Sequence, residues 1–274
     1  MISGLLSIPQ AVLLGLVEGI TEFLPVSSTG HLLVVGELIG FGTGSSSRAA
    51  DTYSIAIQFG AILAVLFLYR TRVLSLVRGL FGADVEGRLS LIRLVVAFLP
   101  AAFIGVLAGD AMKSALFGPV PVTIAWLVGG VFLLRWKPTV GSVALHEMTI
   151  RAAFLIGCAQ SLALWPGVSR SLVTLIAALA VGLTMSAAIE FSFILGLITL
   201  SSATALDLTK HGNELVDQFG ILAPSVGLVC AFVTAVIAVK WMVGYLESHS
   251  LRVFGWYRLA IGAVAVVLLA TNVL

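Results

Sequence analysis

Glu18 and Glu22 stand four residues apart in an apolar stretch, so on a helix they share one face. Like charges at that spacing repel, and an ionised carboxylate deep in a membrane helix costs roughly 2.5–3.5 kcal/mol. A divalent cation on oxygen ligands offsets such a pair, as does a shared proton or an arginine. Pro25 follows, and then the run Ser27-Ser28-Thr29-Gly30-His31. One Ser or Thr after a break serves as the N-cap of a new helix, which leaves further hydroxyls free. Unpaired backbone N–H groups and the positive end of the helix dipole point the same way, so the run suits an anion. His31 adds a group that can act as base, acid or nucleophile near neutral pH.

A second polar cluster lies far along the chain. Pro166 and Gly167 precede Ser169-Arg170-Ser171, with Thr174 one turn further on the same face. The fork of a buried guanidinium suits phosphate or carboxylate. An ion pair with Glu18 or Glu22 and a phosphate clamp are both open for Arg170, and they are compatible.

The elements that must position these groups belong to a membrane protein. Of 274 residues, 59% are hydrophobic and 10% charged, and the mean hydropathy is +1.13. Soluble domains carry roughly 25% charged residues, so this chain has too little polar surface to stay in water. The net charge of +2 and the absence of a basic run give no reason to expect a nucleic acid partner. Cys158 and Cys230 lie in apolar stretches and read as small hydrophobes rather than a disulfide or metal pair. The N-terminal residues lack a basic n-region, so no cleavable signal peptide is expected.

Six segments approach the ~20 apolar residues of a membrane crossing. They are Thr52–Tyr69, Leu89–Gly109, the short Val120–Leu134, Ala187–Leu206, Phe219–Trp241 and Val253–Val273. Two further apolar regions, Ile8–Gly40 and Thr149–Gly182, are interrupted at Pro25 and at Pro166-Gly167. Each reads as half-helix, break, half-helix, a re-entrant pair that does not span.

The two halves resemble each other. Gly15-Leu16-Val17-Glu18 matches Gly157-Cys158-Ala159-Gln160, and Val26-Ser27 matches Val168-Ser169 at the same offset. Ala56-Ile57-Gln58-Phe59 matches Ala188-Ile189-Glu190-Phe191, so Gln58 and Glu190 are expected to brace the two hairpin tips. The expected fold is therefore an all-α integral membrane protein, a single domain over 1–274 with halves near 1–137 and 138–274. Each half is one re-entrant hairpin plus three transmembrane helices, and an odd number of crossings inverts the second half. Arg70, Arg72, Arg78, Arg88, Arg135, Lys137, Arg151, Lys240 and Arg252 follow alternate crossings, whereas the opposite loops hold Arg48, Lys113 and Lys210. By the positive-inside rule both termini lie outside. Gly15/Gly19, Gly36/Gly40 and Gly105/Gly109 have the spacing of close helix packing.

The run from Glu18 through Pro25 to His31 resembles the first signature of the undecaprenyl pyrophosphate phosphatase family, bacterial membrane enzymes also named for bacitracin resistance. Ala163-Leu164-Trp165-Pro166-Gly167-Val168-Ser169-Arg170-Ser171 resembles the second, and Glu190-Phe191-Ser192-Phe193 a weaker third. Leu172 stands where family members often have Gly. The resemblance implies hydrolysis of undecaprenyl pyrophosphate to the monophosphate and inorganic phosphate, recycling the carrier lipid of peptidoglycan synthesis. It also implies a divalent cation (Mg or Ca) and a site in the bacterial inner membrane that opens to the periplasmic side.

On this reading Glu18, Glu22, Ser28, His31 and Arg170 are the catalytic residues, and Glu18 and Glu22 hold the metal. Ser27, Thr29, Ser169, Arg170, Ser171 and Thr174 bind phosphate, with Gln160, Gln58 and Glu190 in support. Ser28 activated by His31, His31 itself and water are the rival nucleophiles. The partners expected are the polyprenyl diphosphate substrate, membrane lipids and a second copy in a homodimer. The alternative function is a transporter or flippase of polyprenyl phosphate, or of another anion, using the same broken helices.

Overall fold

Pro25 and Pro166 interrupt helices in the folded chain as they do on paper. The computed structural model describes residues 6–41, 47–137 and 141–274. Among these the chain forms eleven α-helices and one isolated bridge, Val143–Leu183. The helices are α1 (Ile8–Thr21), α2 (Ser28–Leu38), α3 (Ser47–Leu68), α4 (Arg70–Leu80), α5 (Val85–Leu116) and α6 (Pro119–Arg135). They continue with α7 (Ile150–Gln160), α8 (Arg170–Ala180), α9 (Met185–Phe219), α10 (Leu222–Leu246) and α11 (Arg252–Ala270).

Five helices are long and apolar enough to cross a membrane: α3, α5, α9, α10 and α11. The sixth expected crossing, Val120–Leu134, is α6. It has 17 residues and so is shorter than those five, about 26 Å at 1.5 Å per residue. Large apolar side chains point outward, with Val106 83%, Leu107 69%, Phe103 67% and Val128 64% exposed. A surface so apolar is stable only against lipid, and this is a multi-pass membrane protein.

Three expectations are corrected here. The stretch after the first crossing, read as a loop, is helix α4, whose Leu76 and Gly79 are buried and whose Arg72, on the same face, pairs with Glu190 of α9, while Arg70 and Arg78 are exposed. Helix α9 does not end near Leu206 but runs 35 residues to Phe219, carrying Lys210 in helix rather than loop. Its last turns are mostly polar, but Leu215 and Phe219 are buried there among Leu14, Tyr53 and Ala223, which anchors the extension. Helix α5 likewise extends on both sides of Leu89–Gly109, to Val85 and Leu116. The side chains of Arg48 and Lys113 lie outside the described residues.

Helix α10 packs on α1 and α3, α3 on α9, α5 on α7 and α6 on α11. The α1–α10 approach is close because Gly15 faces the Gly227 carbonyl and Gly19 the Ala231 carbonyl, where a Cβ would collide. Gly40 and Gly109 have nothing nearby, so the other two glycine pairs do not serve this purpose.

The two breaks share a local design. Helices α1 and α2 have 14 and 11 residues, α7 and α8 have 11 each, and none reaches the ~30 Å of a hydrocarbon core. A 3₁₀ turn, Ser161–Leu164, follows α7. The second half-helix of each pair is capped by a serine with positive φ, Ser27 at 73° and Ser169 at 76°. Non-glycine residues rarely adopt that conformation, and it persists only where surrounding contacts over-determine it.

Candidate active site

Those contacts come largely from the opposite break. The Gly167 N–H donates to Ser27 Oγ at 3.1 Å, and Ser171 Oγ donates to the Leu24 carbonyl at 2.9 Å. Trp126 Nε1 on α6 donates to the Val26 carbonyl at 3.0 Å. Arg258, fully buried on α11, clasps both breaks together. Its Nη2 donates to the Ala125 and Gly167 carbonyls at 2.8 Å each, and its Nη1 to Val168 at 3.3 Å and Pro25 at 3.4 Å. Among the described residues no carboxylate pairs with it. Carbonyls released where helices break are the acceptors, so its charge is met by backbone dipoles. Gly129 makes room, since a Cβ there would strike the guanidinium. Arg258 escapes the sequence analysis, although an arginine within the apolar stretch Val253–Val273 is itself a signal.

A cavity of about 650 Å³ lies between the breaks. Its polar wall is Glu22, Ser27, Ser28, Thr29, Gln58, Gln160, Ser169, Arg170 and Thr199. Ala101 and Leu200 place it at the middle turns of α5 and in the apolar part of α9. A chain of bonds crosses it. Ser28 Oγ donates to Glu22 Oε2, and Glu22 Oε1 accepts from Arg170 Nη2 at 2.9 Å. Arg170 Nη1 donates to the Ser192 carbonyl at 3.2 Å, its guanidinium lies 5.2 Å from the Phe23 ring centre, and its Nε has no acceptor among the described residues. Gly196 lies directly under this guanidinium, where a Cβ would strike it. Thr174 holds the base of Arg170: its Oγ1 donates to the Arg170 carbonyl at 2.8 Å and lies 2.6 Å from Ser192 Oγ.

The structure thus brings Glu22, Ser27, Ser28, Thr29, Gln58, Gln160, Ser169 and Arg170 to one cavity. Ser171 and Thr174 stand behind it, each bonded to backbone. Glu18 is fully buried one turn before Glu22, outside the cavity wall, and neither of its carboxylate oxygens has a hydrogen-bond partner among the described residues. Gln160, its sequence match, accepts from Thr199 Oγ1 at 3.3 Å.

His31 is not brought to Ser28. Its Nδ1 lies 2.7 Å from the Ser27 carbonyl and its Nε2 2.8 Å from the Tyr257 hydroxyl, so both ring nitrogens are engaged elsewhere. Its ring is stacked on Tyr257 and tilted against Trp126. Glu190 does not mirror Gln58: it pairs with Arg72 at 2.5 Å and thereby ties α9 to α4, with Arg72 also reaching Glu86 at 3.0 Å. Thr199 and Tyr257 join the site region without a sequence signal, because hydroxyls in an apolar helix away from a break are not distinctive.

Helices α2 and α8 both begin at this cavity, so two sets of unpaired N–H groups and two positive dipole ends converge there beside an arginine. Fold and site together define a multi-pass membrane protein with an anion-suited polar cavity between two broken helices. The chain belongs to the Bacitracin resistance protein BacA family, which matches residues 11–264. It is 44% identical over 262 residues to the undecaprenyl-diphosphatase of Sorangium cellulosum (strain So ce56), covering 93% of this chain and 84% of that one. It is 41% identical over 263 residues to that of Acinetobacter baumannii (strain ATCC 17978), covering 94% of each. Against the undecaprenyl-diphosphatase of Nitrosomonas europaea it is 41% identical over 259 residues, 93% of this chain and 92% of the relative.

Proposed function

We propose that this chain hydrolyses undecaprenyl pyrophosphate to undecaprenyl phosphate and inorganic phosphate, with the chemistry carried by the Ser28–Glu22–Arg170 chain. The hydroxyl at the start of α2, bonded to a carboxylate that is itself held by an arginine, is the observation that supports this assignment. Ser28 Oγ attacks the terminal phosphorus and passes its proton to Glu22. The anhydride P–O bond breaks, and undecaprenyl phosphate leaves with the electron pair. Water then attacks the phosphoserine, the proton returns to Ser28 Oγ, and inorganic phosphate is released. Arg170 and the N–H groups opening α2 and α8 stabilise charge on the transferring phosphoryl group. Phosphoryl transfer asks mainly for such positioning and charge stabilisation. His31 holds the first turn of α2 in place through Ser27 and Tyr257.

A divalent cation fits this donor set in one way. Among the described residues no cluster of three or more His, Cys, Asp or Glu exists, so no all-protein cage is built. The two unpartnered oxygens of Glu18, one turn from Glu22, suit a cation that takes one or two carboxylates and otherwise keeps substrate phosphates and water. Glu18 would hold it from behind the cavity wall, because both Glu22 oxygens are taken by Ser28 and Arg170, and it would neutralise diphosphate charge.

The reading includes an inverted-topology repeat in one membrane domain, with halves near 1–137 and 138–274. The shared serine caps with φ near 75° and the equal 11-residue lengths of α2 and α8 support it. The arginine-bearing ends, including α4, face the cytoplasm by charge, and the headgroup reaches the cavity from the outer side.

The test is phosphate release from undecaprenyl pyrophosphate by purified Ser28→Ala and Glu22→Gln proteins in detergent. Each is expected to lose about 100-fold or more of kcat. A brief turnover with terminally labelled substrate should leave label on Ser28. Ser28→Ala activity within a few-fold of wild type would remove Ser28 as nucleophile and leave water as the attacking group.

A further inference from the structure

A lipid diphosphate needs two sites, because its headgroup and its chain prefer opposite surroundings. We propose that the polyprenyl chain lies in the groove between α6 and the α7–α8 pair, with Trp165 at the junction. This rests on the diphosphatase reading. The groove has a volume of about 1010 Å³ and is apolar almost throughout, with Val128 and Phe132 on one wall and Leu162, Leu172 and Ile176 on the other.

Helix packing accounts for the opening. Helix α6 packs on α11 and α2, whereas α8 packs on α7 and α9, which leaves the facing surfaces of α6 and α8 apart. Val128 and Leu162 are each 64% exposed along it, so the groove is open to the bilayer on its side.

Two observations favour a chain belonging to the site's own substrate. Trp165 lines both the groove and the polar cavity, so the two spaces share a wall. Its indole Nε1 donates to the Pro121 carbonyl at 3.1 Å, which fixes the ring between the second break and the start of α6. Secondly, Arg258 is the only charged residue among the described residues on the groove, and its Nη atoms are taken by four backbone carbonyls. Among the described residues the groove therefore offers no free cation for a second headgroup, and what it accommodates is hydrocarbon. A chain whose diphosphate sits between the breaks meets the groove at Trp165, the wall that the two spaces share.

The experiment combines kinetics with occupancy. Val128→Trp and Ile176→Trp fill the groove from opposite walls and touch none of the residues placed in the chemistry. Both are expected to raise KM for undecaprenyl pyrophosphate about tenfold with kcat little changed, the signature of lost uniform binding. Val106→Trp, on the exposed face of α5, should leave KM unchanged. In parallel, a polyprenyl diphosphate carrying a photoreactive group on its chain is cross-linked to the wild-type protein in detergent. Label concentrated on α6 and α8 is expected. Unchanged KM in both groove variants, or label spread evenly over the lipid-facing helices, overturns the proposal. If the wild-type protein releases no phosphate, the diphosphatase reading fails by itself, and the cross-linking still reports where the chain lies.

Discussion

Replacing Arg258 with methionine removes the clasp between the two breaks while keeping an unbranched, apolar side chain in the space. The cost can be worked from the geometry. Two carbonyls, Ala125 and Gly167, lose bonds of 2.8 Å, and two others lose longer bonds of 3.3–3.4 Å. A buried acceptor left without a donor costs about 1–3 kcal/mol, so the two short bonds alone amount to about 2–6 kcal/mol. Methionine no longer requires a guanidinium to be stripped of water, which returns part of that sum. A net destabilisation of about 2–4 kcal/mol is expected, or roughly 5–15 °C in Tm for a chain of this size. Activity should fall further than stability suggests. Ser28 and Arg170 come from opposite sides of the clasp, and a displacement near 1 Å at reacting groups costs on the order of 100-fold. The assay is thermal unfolding in detergent by tryptophan fluorescence, with phosphate release measured well below the transition. Arg258→Lys, which keeps the charge but not the fork, should fall between methionine and wild type. An Arg258→Met protein with unchanged Tm and kcat would refute the reasoning, because the freed carbonyls would then have found other donors and the spacing of the breaks would not depend on Arg258.

Gly196→Ala places a Cβ against the Arg170 guanidinium, which is the mobile end of its side chain, so the fold should accept it while Arg170 shifts off Glu22. A kcat loss between about tenfold and 100-fold with near-normal Tm is expected, and wild-type kcat would show that the placement of Arg170 is unimportant. At the turn between α4 and α5, the Gly87 N–H and then the Ser75 hydroxyl hold the Asp84 carboxyl below the usual carboxylate range. Such a group stabilises above its unfolded value of about 3.9 and loses that contribution as pH falls through its lower folded value. The Tm advantage of wild type over Asp84→Asn should therefore shrink as pH is lowered into that window, and a gap constant with pH would contradict it.

Residues within a turn or two of each other made much of this protein readable in its sequence. Composition and run length announce a membrane protein. Pro25 and Pro166 with the serines that follow mark both breaks, and six of the nine polar residues that line the cavity, Glu22, Ser27, Ser28, Thr29, Ser169 and Arg170, stand at those breaks. All of this depends on backbone sterics, capping and hydrophobicity, which act between near neighbours. The same locality explains what was missed: α4 carries four arginine and serine positions that look like loop, and its helix is settled by packing against α5 and by the Arg72–Glu190 pair across 118 residues.

Only the tertiary structure determined who meets whom. Glu22 finds Arg170 across 148 residues, His31 turns to Tyr257 across 226 rather than to Ser28, and Arg258 reaches back 233 residues to Pro25. Glu190, equivalent to Gln58 by sequence match, leaves the site altogether. The physical reason is that a side chain's partner depends on which helix faces pack and at what height. That choice is made by small residues such as Gly15, Gly129 and Gly196, whose role is invisible until the neighbour that needs the space is in place. The sequence by itself determined that two polar breaks exist in a membrane chain; packing determined that they close on each other around one cavity.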